Sequence, residues 1–203
     1  MSESGEHRRV VISSDMGRAQ RIPPGQVETK KWPVLHYGEV PAADLGAWDF
    51  KIFGEVETPF ACDWATFRVL PWLDVKCDIH CVTHWSRLNN TFSGPSTRTV
   101  MEKVKIKPGA KFVLIHCEQG FTTNLPLEEF LGEDCLFAIE HDGVPLTPEH
   151  GYPLRLVVPR LYFWKSAKWV RGIELMTRDI AGFWEQNGYH MHGDPWTEER
   201  HGW

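Results

Sequence analysis

The sequence predicts an α+β fold, a single sheet-rich domain of mixed strands with a few short helices. The segment 48–56 (WDFKIFGEV) sets Trp48, Phe50 and Ile52 in alternation with charged residues, the period of two that a half-buried strand requires. The pair Asp142-Gly143 lies between two apolar runs and is a strong signal for a tight β-hairpin. No strand pattern is followed by a long helical pattern and a further strand, which argues against a Rossmann fold.

The N-terminal third of the chain begins with a segment that is not expected to be helical. Residues 1–31 are polar and contain the Pro-Pro pair of IPPG, which fixes an extended backbone, so we expect an N-terminal arm or extended lead-in. The domain proper then covers residues 32–203. After the strand at 48–56, the segment DWATFRVL predicts a short helix with Asp63 as its N-cap.

The remaining elements are assigned in chain order. KVKIKPGAKFVLIHCE predicts two strands around a turn at Pro108-Gly109. LPLEEFLG predicts a helix of one or two turns that begins near Pro126 and ends before Gly132. YPLRLVVP and KWVRGIELM predict two more strands, and the tail from Phe183 onward is expected to consist of loops rich in Gly, His and Trp.

Composition narrows the class of protein and its partners. A hydrophobic content of 42% with 24% charged residues is typical of a globular domain. The net charge of -5 argues against a nucleic-acid partner, because phosphate contacts need clustered Lys and Arg. No apolar run approaches the roughly 18–20 residues of a membrane span, and VVIS is too short for an export signal. We therefore expect a cytoplasmic protein whose five cysteines are free thiols.

The segment KCDIHCVTHW (76–85) contains four potential metal ligands. On a helix, Cys77, His80, Cys81 and His84 would share one face and could bind zinc. However, apolar residues alternate with polar ones from Val75 to Cys81, which indicates a strand. The two cysteines would then lie roughly 13 Å apart, with His80 on the opposite face. This spacing excludes a shared zinc ion if the strand assignment is right.

Cys77 and Cys81 therefore have different expected environments. Cys77 is most simply a buried small hydrophobe. Cys81 falls where the strand ends, before the polar segment THWSRLNNTFSG, and a thiol there can face a loop-lined cavity. Three interpretations stay open from these residues: a metal ligand, a nucleophile paired with His84, or an inert core cysteine.

A second informative segment is 151–172, which contains no Asp or Glu. Cations without local counter-charges favour an anion site, although a solvated basic face is the alternative. Lys165-Ser166-Ala167-Lys168 offers ammonium groups, a hydroxyl and backbone N–H groups, which together could bind a phosphate. No nucleotide P-loop motif occurs. The five cations of the segment are Arg155, Arg160, Lys165, Lys168 and Arg171.

Taken together, these motifs resemble the sulfite-oxidase-type molybdopterin oxidoreductases. The resemblance lies in DIHCVTHWSRLNNTFSG and in HGYPLRLVVPRLYFWKSAKWVRGIEL some 70 residues later. RIPPGQ, WPVLHYG and GYHMHGDPW match the short, single-domain branch, which includes the catalytic subunit of a periplasmic methionine sulfoxide reductase. The resemblance implies that residues 32–203 form an oxidoreductase molybdopterin-binding domain of the sulfite oxidase type.

The resemblance also implies a cofactor and its contacts. A molybdenum ion would be held by the dithiolene of molybdopterin and by one protein thiolate, that of Cys81. The other expected cofactor contacts are His36, Tyr37, Cys117, His150, Arg155, Ser166, Ala167 and Lys168. Arginines and a tyrosine surround the substrate in sulfite oxidases, and the residues available here are Arg87, Arg98, Arg160 and Tyr162.

The implied reaction is a two-electron oxygen-atom transfer on a small oxyanion, sulfoxide or N-oxide. It would be followed by one-electron exchange with an unidentified external carrier. Two other functions stay open: a cofactor-free thiol enzyme that uses Cys81 and His84, and a non-catalytic module that binds molybdopterin or a phosphorylated ligand. His190 and His192, in the GYHMHGDPW loop, are expected to be solvated or capping residues rather than metal ligands.

Overall fold

The computed structural model describes residues 8–202 of the chain, so the first seven residues of the predicted arm lie outside the described part. Strands dominate this part. In chain order they are β1 (Arg9–Ile12), β2 (Val27–Glu28), β3 (Asp49–Gly54), β4 (Phe60–Asp63), β5 (Trp72–His80), β6 (Trp85–Pro95), β7 (Phe112–Cys117), β8 (Thr122–Pro126), β9 (Leu136–Ala138), β10 (Glu140–His141), β11 (Val144–Pro145), β12 (Arg155–Val157) and β13 (Val170–Met176).

The helices are short, as the sequence predicts. They are α1 (Trp64–Phe67), α2 (Thr97–Met101), α3 (Leu127–Phe130) and α4 (Phe183–Gln186). At α1 the Asp63 side chain accepts a hydrogen bond from the Thr66 backbone N–H at 2.8 Å, which confirms the predicted cap. Pro126 immediately precedes α3, also as predicted. Within residues 8–202 no helix has both the length and the hydropathy that a membrane crossing needs.

Two sheets and a small ladder form the domain. The first sheet has the order β1-β5-β6-β10-β11, and β2 also pairs with β6. The predicted hairpin, β10 and β11, forms one edge of this sheet, and its two strands are antiparallel. Both turn residues, Asp142 (φ 49°) and Gly143 (φ 81°), are left-handed, as a type I′ turn requires. The second sheet has the order β4-β3-β13-β7-β8.

The ladder of β9 and β12 lies between two apolar cores and contributes to both. Residues of this ladder alternate between the cores with the strand period of two. Leu136, Ala138 and Val157 belong to the core under the first sheet, whereas Phe137 and Leu156 belong to the core under the second. Both faces of the β9–β12 ladder are therefore buried, and the segment that follows β12 starts from this buried layer.

The N-terminal arm packs on the first sheet. β1 runs parallel to β5, and β2 runs parallel to β6. Between these strands a single 3-10 turn, Ser14–Gly17, interrupts the extended backbone that the sequence predicts for the arm. The boundary near residue 31 stays a prediction.

Two sequence expectations need correction, and one segment without an assigned element contains a strand. The first strand around Pro108-Gly109 is not formed; this stretch makes only a bridge between Val56 and Ile106. The polar segment after Cys81, to which no element was assigned, contains the long strand β6, and its polar groups find partners inside the sheet, such as Asp74 for Ser93 (2.7 Å). The tail from Phe183 begins with α4.

Candidate functional site

A cavity of about 430 Å³ is lined in part by the turn between β5 and β6 and by the turn between β7 and β8. It is lined by residues from the segments 32–37, 81–85, 118–121, 150–155 and 163–189. The structure brings eight of the predicted cofactor contacts together in this lining: His36, Tyr37, Cys81, His150, Arg155, Ser166, Ala167 and Lys168. A pocket of this size is in the range of small-molecule and cofactor sites.

Cys81 lies one residue beyond the end of β5, at the wall of the cavity. Its N–H donates to the Trp85 carbonyl at 2.8 Å, and the Gln26 amide donates to its carbonyl at 3.0 Å, so the arm braces this turn. The Sγ atom lies 3.1 Å from the Thr83 hydroxyl. Burial raises the pKa of Cys81, and the hydrogen bond with Thr83 opposes that rise.

The neighbours of Cys81 do not form a zinc cluster with it. β5 is a strand, as predicted, and Cys77 on it is fully buried, with a pKa that burial raises well above its usual value. His80 is also buried, its Nδ1 is 2.8 Å from the Ser86 hydroxyl, and burial lowers its pKa to about 4. Across residues 8–202 no group of three or more His, Cys, Asp or Glu side chains is arranged to hold a metal ion.

His84 is not placed as a base for Cys81. Its Nδ1 is 2.8 Å from the Gly25 carbonyl, to which it must donate, and the side chain is exposed outside the cavity lining. A nucleophilic cysteine needs a lowered pKa, whereas the pKa of Cys81 is raised. The geometry therefore disfavours a thiol enzyme based on this pair.

Three of the five cations in the acid-free segment are neutralised by distant carboxylates. Lys165 was expected in the phosphate cradle, but it is fully buried and turned away, with its ammonium 2.7 Å from a carboxylate oxygen. The absence of Asp and Glu from the segment therefore does not leave these three cations unpaired, because their counter-charges come from other elements of the fold. The partners are Glu129 and Asp134 for Arg160, Glu185 for Lys165, and Asp49 and Glu118 for Arg171.

Arg155 differs, because its charge has no carboxylate partner within the described residues. The residue is 2% exposed, and its guanidinium donates to the carbonyls of His150 (2.9 Å) and Ser166 (2.8 Å). Its Nε is buried without a hydrogen-bond partner. Burial lowers the pKa of Arg155 to about 9, and the guanidinium remains the charged species at neutral pH.

Lys168 is the second cation that bonds only to carbonyls. Its ammonium donates to the carbonyls of Leu35 and Glu149, both at 2.8 Å. Burial and, next, the charge of Arg155 lower the pKa of Lys168 to about 7. Two neighbouring cations without a counter-anion, one of which lowers the pKa of the other, form a site that a bound anion would stabilise.

The backbone allows Arg155 and Lys168 to approach each other. Gly151 adopts φ 109°, and a Cβ atom there would meet the Arg155 Cβ at 3.0 Å and the Lys168 Cγ at 3.2 Å. Ser166 accepts a hydrogen bond from the Val158 N–H at 2.9 Å, which leaves its hydroxyl hydrogen for another acceptor. We call Arg155, Ser166 and Lys168 the basic end of the cavity.

Aromatic rings line much of the remaining surface, and the sequence reasoning identified few of them individually. Trp32 stacks on His150 with centroids 3.8 Å apart, and the Arg155 guanidinium lies 4.3 Å from the ring centre of Phe163. Burial, and next the charge of Arg155, lower the pKa of His150 to about 4, so this ring is neutral. The only signal for these residues in the sequence was the surplus of aromatic side chains, ten of them tryptophans.

The two residues of the VLHYG segment sit at the rim. His36 is exposed, and its ring centroid lies 5.8 Å from that of Trp169. Tyr37 is 62% exposed, and its ring lies 4.5 Å from that of Phe183. Both positions allow contact with a bound molecule, but neither side chain closes the cavity.

Five of the predicted residues lie outside the cavity lining: Cys117, Arg87, Arg98, Arg160 and Tyr162. Cys117 is buried at the end of β7, and burial raises its pKa. Arg87 is paired with Asp142 at 2.9 Å, and Arg98 donates to the Leu131 carbonyl at 2.6 Å. Tyr162 is fully buried behind Trp164, the rings stacking at 5.3 Å. A role for these residues around a substrate stays a prediction.

The residues present fit molybdopterin as the resemblance describes it. The cavity offers one soft sulfur donor, Cys81, which suits a metal whose other sulfur ligands come from the cofactor itself. Its basic end offers two uncompensated cations and a buried, unbonded guanidinium Nε for an anionic group. The aromatic lining suits a flat ring system.

Comparisons with known proteins agree with this fit. Residues 37–184 match the family described as "Oxidoreductase molybdopterin binding domain". The chain is 50% identical over 184 residues to the uncharacterized oxidoreductase YuiH of Bacillus subtilis (strain 168), covering 90% of this chain and 93% of that protein. It is 25% identical over 182 residues to the putative protein-methionine-sulfoxide reductase subunit YedZ1 of Azospira oryzae (strain ATCC BAA-33 / DSM 13638 / PS), covering 88% of this chain and 69% of that one.

Among solved structures, the fold is similar to that of the sulfane dehydrogenase SoxCD from Paracoccus pantotrophus, with a TM-score of 0.66 and 19% identity. The match covers 75% of this chain and 43% of that one. At this identity the likeness concerns the fold alone. It confirms the predicted sheet-rich architecture.

Proposed function

Because the chain belongs to the oxidoreductase molybdopterin-binding domain family, we propose that it is a Mo–molybdopterin enzyme that transfers an oxygen atom to or from a small oxyanion, sulfoxide or N-oxide. The observation that carries the proposal is one cavity that combines a single accessible thiol, Cys81, with the uncompensated cations Arg155 and Lys168. The family's cofactor needs both features, one for its metal and one for its phosphate.

Each group has a role in this proposal. Cys81 binds the metal as a thiolate, since the charge of a bound cation lowers the pKa that burial alone raises. Arg155, Lys168 and the Ser166 hydroxyl bind the phosphate by charge-assisted hydrogen bonds. When bound, the cofactor supplies two-electron redox chemistry, and the protein supplies its placement and the exclusion of water.

The overall reaction balances with an external carrier. In the reducing direction the bond between oxygen and the sulfur or nitrogen of the substrate breaks, and two electrons and two protons convert the released oxygen to water. In the oxidising direction water supplies the oxygen, and two electrons and two protons leave. The electrons are exchanged one at a time with a redox protein or small carrier, which is part of the proposal.

The test is the metal and pterin content of protein made in a host that synthesises molybdopterin. We expect about one Mo per chain and pterin fluorescence after oxidation. Less than about a tenth of an equivalent of Mo, without pterin fluorescence, would refute the proposal. Full cofactor loading whose redox state does not respond to sulfite, sulfoxides or N-oxides would instead support the binding-module alternative.

The ligand role of Cys81 has a matched control. Cys81→Ser is expected to keep the fold and to change the Mo absorption and electron paramagnetic resonance spectra. Cys62, a half-buried free cysteine on β4 outside the cavity lining, provides the comparison. The spectra of Cys62→Ser should be those of the wild type. An unchanged spectrum for Cys81→Ser would exclude it as the ligand.

A further inference from the structure

The cavity is charged at its basic end and aromatic around Cys81. Its lining contains two cationic side chains that lack a carboxylate partner within residues 8–202, Arg155 and Lys168, and both belong to the basic end. Glu118, which also lines the cavity, is neutralised by Arg171. If the cofactor's phosphate occupies the basic end, no uncompensated cation in this lining is left for a substrate.

Apart from the Thr83 hydroxyl, the side chains packed around Cys81 are apolar or aromatic. Cys81 and Val82 pack in one buried cluster with Tyr162 and Trp164, and three further rings cover that cluster. We call the four rings of this group that line the cavity the aromatic wall: Trp85, Trp164, Trp184 and Tyr189. Tyr189 lines the cavity and packs against the cluster that contains Cys81.

Arg200, the cation whose charge acts on the pKa of Cys81, is held away from the cavity. Arg200 exerts a charge effect on the pKa of Cys81, but its guanidinium donates to the carbonyls of Val82 (2.7 Å) and Pro24 (3.3 Å) and lies 5.0 Å from the ring centre of Tyr162. It is 8% exposed and does not line the cavity. Its donors are therefore directed at the backbone of this chain rather than at a ligand.

The aromatic wall is rigidly positioned. Glu185 on α4 accepts hydrogen bonds from the Trp164 indole and the Lys165 ammonium, both at 2.7 Å and both buried. This joins α4 to the segment after β12 and sets Trp184 beside Tyr189, with ring centroids 5.0 Å apart and planes 19° from parallel. Tyr189 in turn meets Trp164 edge-on at 5.1 Å.

We infer that the site selects an uncharged substrate, a sulfoxide or N-oxide with apolar substituents, and rejects oxyanions. This inference rests on the proposed function and narrows its substrate class. An oxyanion entering the aromatic wall would lose its hydration without gaining a counter-charge. An uncharged oxide would bury its substituents against Trp164 and Trp184 and present its oxygen towards the metal bound at Cys81.

The test compares ligands on cofactor-loaded, oxidised enzyme, in which oxides bind without being reduced. Quenching of tryptophan fluorescence is followed at one ionic strength with methyl p-tolyl sulfoxide, trimethylamine N-oxide, nitrate and sulfate. At least one of the two oxides should bind about tenfold more tightly than nitrate or sulfate. Whichever oxide binds shows whether the substrate is a sulfoxide or an N-oxide. Tighter binding of nitrate or sulfate, or no saturable binding of either oxide, would overturn the inference.

Two pairs of variants sharpen the result. Trp184→Ala should weaken binding of the oxide about tenfold, whereas Trp72→Phe, on the far end of β5 and outside the lining, should not. Thr83→Arg adds a cation beside Cys81 and should create binding of sulfate, whereas the uncharged Thr83→Gln should not. The same preparations are assayed for Mo: without Mo the proposed function fails, whereas loaded enzyme that prefers oxyanions contradicts only the substrate class.

Discussion

Lys165 and Lys168 lie three residues apart in the sequence, and their replacement by methionine should have opposite effects on stability. Lys168 has no carboxylate partner, and its pKa is lowered by burial from 10.5 to about 7. At about 1.4 kcal/mol per pKa unit, the charge of Lys168 lowers the free energy of unfolding at pH 7 by at most about 4 kcal/mol. Because the side chain is only partly buried, solvent screening reduces the cost of its charge to about 1–2 kcal/mol.

Lys168→Met should therefore stabilise the cofactor-free protein by about 1–2 kcal/mol at pH 7. The sign follows from proton linkage. The folded-state pKa of this base is lowered, so the unfolded chain binds more protons between pH 7 and 10, and the stability of the wild type rises with pH across that window. The variant should lose this dependence. The same change removes a charge-assisted bond to the phosphate and should weaken cofactor binding about 10- to 100-fold.

Lys165→Met is the matched control. Lys165 is fully buried against the Glu185 carboxylate at 2.7 Å. Removing one member of such a pair leaves an uncompensated buried charge, so we expect a loss of about 3–5 kcal/mol.

The assays are urea unfolding of protein from a host without molybdopterin and Mo analysis of protein from a competent host. A Lys168→Met protein that is less stable than the wild type without cofactor, or that retains Mo as well as the wild type does, would refute the assignment of Lys168 to an anion site. Loss of stability in both variants would mean that the two lysines have the same structural role.

Two further predictions concern the C-terminal loop and the contact between β6 and β9. The carboxylates of Glu129, 3.8 Å away, and Glu199, hydrogen-bonded at 2.8 Å, raise the pKa of His192 to about 9. The contribution of this histidine to stability is therefore complete below about pH 6.5 and is lost as pH rises through 9. His192→Gln should destabilise the protein at pH 6 and have no effect at pH 10, and an equal effect at both pH values would exclude ion pairing as the cause. Gly94 has φ 158°, and a Cβ added there would clash with the Phe137 carbonyl oxygen. Gly94→Ala should therefore lower the free energy of unfolding in urea by about 2–4 kcal/mol. A loss below about 0.5 kcal/mol would contradict this close approach.

Local signals in the sequence predicted the elements that depend on near neighbours. The period of two through Cys77 and Cys81 predicted β5, Asp63 predicted the start of α1, and Asp142-Gly143 predicted a hairpin. Each of these follows from backbone preferences over a few residues, which do not need the rest of the fold. β6 was missed because its polar side chains satisfy each other across the sheet, and that compensation has no local signature.

Charge compensation was decided by the tertiary structure. The sequence alone marked 151–172 as a basic segment and identified Cys81 as the thiol at a strand end. Which cations of that segment are free depended on carboxylates elsewhere: Glu185 neutralises Lys165, and Asp49, which is 122 residues away in the chain, neutralises Arg171. Electrostatic pairing depends on distance in space rather than on separation in sequence. Only the folded chain could therefore show that Arg155 and Lys168 are the two cations left for an anion, and that the wall beside Cys81 is aromatic.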